Sequence, residues 1–147
     1  MNIWSLAVLA LLLPGTAHAQ YGPGPSLTAD PCALGAKTSL PISQIANTKL
    51  IAQVGGKKIY LCSILVVAAD AENISVVEGT GATCGTGTAA GIGGTTAATG
   101  PNLAASAGFV QGNGASFVAA TAAVNTDLCL LQSGVGRVAG LLTYVQQ

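Results

Sequence analysis

The stretch KKIYLCSILVVAA, residues 57–69, decides the fold class. Its Ile, Leu, Val and Tyr side chains suit a pleated, half-buried strand better than a helix. Its length would permit a helix, but Gly55-Gly56 ahead of it is a turn signal, and no stretch of the chain joins helix caps to a 3.6-residue period. Working outward, TKLIAQV (48–54) reads as a strand ended by that glycine pair. Asp70-Ala71-Glu72-Asn73 reads as a turn, and ISVVE (74–78) as the returning hairpin partner. Residues 79–100 are almost wholly Gly, Thr and Ala, which predicts a long loop with short strand pieces, held down by Cys84. Strand signals then recur at 103–110, 116–122, 128–132 and 137–145, with turn residues between them. Short strands at this spacing predict an all-β chain, an antiparallel β-sandwich of jelly-roll-like form.

Two strands carry apolar residues on both faces. Strict alternation over 59–68 puts Ile59, Leu61, Leu65 and Val67 on one side and Tyr60, Cys62, Ile64 and Val66 on the other. Over 137–145, Val138, Leu142 and Tyr144 oppose Ala139, Leu141 and Val145. A sheet with one wet face should alternate apolar with polar. The outer face is therefore expected to be covered, by another copy of the chain or by loops such as the Gly-rich one. Ile59, Leu61, Leu141 and Val145 are the expected self-association residues.

The N-terminus reads as an export signal. An apolar run at 3–13, broken by Pro14-Gly15, precedes Ala17-His18-Ala19, a small-x-small cleavage pattern. The run is too short for a membrane span, which needs roughly 20 residues. The expected organisation is a signal peptide over 1–19, an extended Pro- and Gly-rich arm over 20–36 and a β-sandwich domain over 37–147. Export would place Cys32, Cys62, Cys84 and Cys129 in an oxidising compartment, secreted or periplasmic. They form an even set without a CxxC, so two structural disulfides are expected. Three pairings are possible, and Cys32–Cys62 with Cys84–Cys129 is the preferred one. The first would tie the entering arm to the first long strand, the second the Gly-rich loop to a late strand.

Composition excludes whole classes of function. The chain is 50% hydrophobic, only 7% charged and formally neutral. It has no basic patch, so phosphate-driven nucleic-acid binding lacks its cations. The single histidine, His18, would leave with the signal, removing Ser-His-Asp and Cys-His catalysis and His-rich metal sites. The remaining acids, Asp30, Asp70, Glu72, Glu78 and Asp127, sit mostly at expected turns rather than as a catalytic pair. Gly85-Thr86-Gly87 and Gly91-Ile92-Gly93-Gly94 precede no helix, so they build no phosphate cradle. Asn73-Ile74-Ser75 is formally a glycosylation sequon. No enzyme activity, cofactor, metal or post-cleavage membrane span is expected.

Two blocks carry a resemblance: residues 57–84, a strand, turn, strand and Gly-Thr-Gly leading to Cys84, and 125–147, a Leu-Cys strand followed by Gly-Leu-Leu-Thr-Tyr. They resemble small β-sandwich domains of bacterial and phage genomes, mostly of unassigned function, some in tail-fibre or other virion-surface proteins. That resemblance implies a fold and a surface role, and no active residues. Low charge points the same way, because a chain with little electrostatic repulsion must hide its apolar surface, often against copies of itself. The expected function is thus a secreted, non-enzymatic structural or surface-assembly protein that forms a homo-oligomer. The alternative is an extracellular module binding a glycan or a cell-surface partner. It is weakened by the scarcity of aromatics and by the reading of Tyr60 and Tyr144 as strand core.

Overall fold

The structure, a computed structural model, describes residues 29–147. The expected signal peptide, its His18 and the first part of the arm lie outside the described residues. In order come a helical turn, α1 (Pro31–Leu34), and strands β1 (Thr38–Gln44), β2 (Thr48–Ile51), β3 (Ile59–Ala68), β4 (Glu72–Thr80) and β5 (Thr86–Ile92). A 3-10 turn (Ala97–Thr99) precedes β6 (Asn102–Leu103), β7 (Gly108–Gln111), β8 (Ala119–Ala120), β9 (Asp127–Gln132) and β10 (Val138–Gln146).

The strands form two antiparallel sheets, ordered β1-β10-β3-β7 and β2-β9-β4-β5, with β8 added to β3 and β6 to β4. The main pairs nest: β1 with β10, β2 with β9, β3 with β7 and β4 with β5. A long antiparallel hairpin rolled over itself gives this pattern, the jelly roll. The core between the sheets is aliphatic, with Ile64, Val66, Ile74, Val76, Leu130, Val138 and Leu142 all essentially inaccessible.

The expected hairpin between 57–69 and 74–78 does not form. β3 and β4 lie in different sheets, and the turn at 69–71 carries the chain across the sandwich. Both strands have core faces to bury, and facing sheets bury both at once. The Gly-rich segment is also more ordered than expected, since β5 pairs with β4 over Thr86–Ile92.

Strict alternation fails at one point in β3. Thr143 pairs with Ser63, but Tyr144 pairs with Leu61, so Cys62 is an extra residue, a β-bulge. The bulge shifts the phase of the strand. Ile59 and Leu61 point into the core before it, and Ile64, Val66 and Ala68 after it. Leu65 and Val67 face outward, 42% and 40% exposed.

Local segments cover much of the outer surface. On the second sheet, Cys84–Cys129 (Cα–Cα 5.9 Å) closes the β4–β5 connection over Val77, and all three residues are buried. The Ser75 hydroxyl, also buried, donates to the Thr96 carbonyl beside the 3-10 turn at 2.8 Å. On the first sheet, Cys32–Cys62 (Cα–Cα 5.5 Å) pins α1 over Val145. The arm expected to be extended is thus a helical turn at Pro31–Leu34. The Asp30 carboxylate caps it by accepting the Cys32 N–H at 2.8 Å, and Pro31 starts it with φ already helical. Both preferred disulfide pairings are present, and two disulfides fit an oxidising environment. Among the described residues, no helix is long and apolar enough to cross a membrane.

Candidate functional site

The four residues expected to mediate self-association do not share a surface. Ile59 and Leu61 are core, 2% and 1% exposed, because the Cys62 bulge turns them inward. Val145 lies under α1. Only Leu141 is exposed, at 45%.

A different set does share one. Residues opposite each other on antiparallel strands point to the same side. The registers Pro41–Leu141, Leu141–Leu65 and Leu65–Val110 therefore lay one apolar row across β1, β10, β3 and β7. All four residues are exposed. Val67 stands in the next row, between Ala139 and Gly108. On the other side, the hydroxyls of Ser63 and Thr143 bond each other at 2.7 Å. No charged side chain stands in these rows; Arg137 reaches only their rim, donating to the Ser43 hydroxyl at 2.8 Å. Four strands at about 4.8 Å spacing, with two or three outward residues along each, give a face on the order of 300 Å2.

At one end of this sheet the chain builds a cavity of about 530 Å3 lined by Ala29, Asp30, Pro31, Tyr60, Phe117 and Gln147. Tyr60 and Phe117 meet edge to face, with ring centroids 5.7 Å apart at 69°. The Tyr60 ring, expected in the core, is half-buried beside Phe117, on the outer side of β3 that α1 covers. Sequence reading missed this pair, since 57 residues separate the two in a chain that gives no local hint of contact.

The carboxylates do not assemble into a catalytic pair. Glu78 points to the core side, accepting the Ala122 N–H at 2.8 Å and the Thr126 hydroxyl at 3.2 Å. Asp127 lies on the opposite side of the same sheet, where it accepts the Gln53 N–H at 2.8 Å and holds the Lys49 ammonium at 2.6 Å. Burial opposes its ionisation, but the Lys49 hydrogen bond, the Gln53 amide and the Lys49 charge outweigh burial and lower its pKa. The sequon side chain is engaged: Asn73 Nδ2 donates to the Ala98 carbonyl at 3.1 Å. Among the described residues, no group of three or more His, Cys, Asp or Glu could hold a metal ion.

Glu72 is the anomaly. It is 2% exposed, and among the described residues neither of its carboxylate oxygens has a hydrogen-bond partner. Burial raises its pKa; the nearby Gly134 amide offsets part of this, and the Asp70 charge adds to it. A raised carboxyl pKa in the folded state means that ionisation costs stability as pH rises from the usual value of 4.5 through the folded one. The Asp127 contribution is lost only as pH falls through a pKa below the usual 3.8. Mild acidification from neutral pH is therefore expected to stabilise the protein, read by chemical denaturation at stepped pH. Glu72→Gln, which cannot ionise, should flatten that pH dependence and raise stability at neutral pH. Unchanged stability in the variant would contradict the burial of an ionised Glu72.

Compared with known proteins, the chain matches no family model, no curated protein and no solved structure.

Proposed function

We propose that this chain is a secreted, non-enzymatic structural or surface-assembly protein that associates with copies of itself through the outer face of the β1-β10-β3-β7 sheet. The observation that carries this reading is the uncharged row Pro41–Leu141–Leu65–Val110, exposed among the described residues, on a molecule whose other sheet has its central strands covered by the chain's own segments. Export by the N-terminal signal fits two disulfides, and the resemblance to small β-sandwich domains of bacterial and phage genomes, some of them in virion-surface proteins, belongs to the same proposal. The fold by itself assigns no role.

Face-to-face contact is favoured over strand addition. Pro41 stands in the edge strand β1, where it removes a ladder donor. A neutral face can meet its own copy without like-charge repulsion, and a two-fold axis through it satisfies both partners at once. The face is smaller than the about 800 Å2 per partner of a standard interface. Association is therefore weak and reversible, strengthened where many copies stand close together.

The variant Leu141→Lys puts a charge at the centre of the row on a side chain already 45% exposed. It is expected to shift the assembly to monomer in sedimentation velocity while leaving the thermal midpoint unchanged. An unaltered sedimentation profile would overturn the assignment of this face.

A further inference from the structure

We infer that the cavity between α1, β3 and the segment preceding β8 is a binding site for a neutral carbohydrate ring. Its walls are fixed in several independent ways. Cys32–Cys62 joins α1 to β3 two residues from Tyr60. The Asp30 carboxylate caps α1 and also accepts the Phe117 N–H, at 3.2 and 3.3 Å. Val118 N–H donates to the Leu61 carbonyl at 2.7 Å, and the Gln147 backbone pairs in both directions with Lys58. A site built on pinned elements loses little entropy when a ligand arrives.

The lining chooses the ligand class. At about 530 Å3 the cavity lies within the roughly 300–1,000 Å3 typical of small-molecule sites. Among the described residues no Lys or Arg side chain lines it, so it offers an anionic ligand no counter-charge. Phe117 keeps 45% of its surface exposed, an apolar ring surface open to the C–H face of a sugar. Asp30 supplies acceptor oxygens for hydroxyl donors, and Gln147 an amide that both donates and accepts. Two backbone N–H groups bond the Asp30 carboxylate and fix its orientation, leaving lone pairs for hydroxyl donors. An aromatic surface, a carboxylate and an amide around one cavity match a polyhydroxylated ring with one apolar face.

The test is a nuclear magnetic resonance titration of the disulfide-intact protein with maltose, lactose and cellobiose in turn, and separately with choline. At least one disaccharide is expected to shift the amide signals of Asp30, Tyr60 and Phe117. Phe117→Ala, with an unchanged thermal midpoint, should weaken that binding about tenfold. Leu141→Lys, which lies on the assembly face, should leave it intact, so this inference and the self-association reading fail separately. No shift with any of the three sugars, shifts that survive Phe117→Ala, or shifts with choline alone would each overturn it.

Discussion

Replacing Cys84 and Cys129 together by alanine is expected to lower unfolding stability by about 4 kcal/mol, the chain-entropy value for the 45-residue loop they close. The loss has a local component too. Val77, Cys84 and Cys129 form a buried cluster on the outer side of the second sheet, with Leu131 packed against it. Cys84 adopts a positive φ of 54°, a conformation the bridge holds in place. The chain passes so closely there that a Cβ on Gly79 would meet the Cys84 carbonyl oxygen at 2.7 Å. Without the crosslink, the connection that shields Val77 is free to lift. The shorter Cys32–Cys62 loop should cost slightly less, about 3.6 kcal/mol, and its loss would uncover Val145. Denaturant titration under non-reducing conditions checks both. A loss below about 1 kcal/mol for the Cys84–Cys129 pair would contradict its role as the fastening of that loop.

The second large effect comes from two leucines of equal parity on one strand. Leu61→Ala is expected to cost about 3 kcal/mol, because Leu61 is 1% exposed and its removal leaves a cavity in the core. Leu65→Ala should stay within about 0.5 kcal/mol, because Leu65 is 42% exposed on the outer face. An unbroken strand would give both the same fate, since they lie four residues apart. The Cys62 bulge separates them. Equal costs for the two variants, measured by urea unfolding, would remove the bulge and the outer row with it.

That bulge marks where the sequence stops being informative. The run from Ile59 to Ala68 is apolar on both sides, so its pattern carries no mark of a phase change. Periodicity alone returns the wrong faces for half of it. In β10 the alternation is unbroken, and Val138 and Leu142 against Ala139 and Leu141 could be read directly. The all-β class and the jelly-roll form were legible in strand composition and turn spacing. Of the three disulfide pairings the sequence allows, the one preferred from where the cysteines sit relative to those strands is the one present. β1 was hidden because Pro41 interrupts a short segment of Ser and Thr, although Leu40 and Ile42 alternate inward within it. The crossing of the 69–71 turn between sheets was hidden for a different reason. A short turn between two apolar strands reads as a hairpin, and only the competition for two core faces sends the second strand across. The outer row and the Tyr60–Phe117 pair depend on register across separate strands, which no local pattern encodes.

The proposed cover of the exposed, uncharged face of the β1-β10-β3-β7 sheet is a second copy of the chain in solution. Sedimentation equilibrium of the disulfide-intact protein over a rising concentration series tests it most directly. The account predicts that the weight-average mass climbs with concentration from that of one chain towards that of a small closed oligomer. A mass that stays at one chain into the high micromolar range would contradict it.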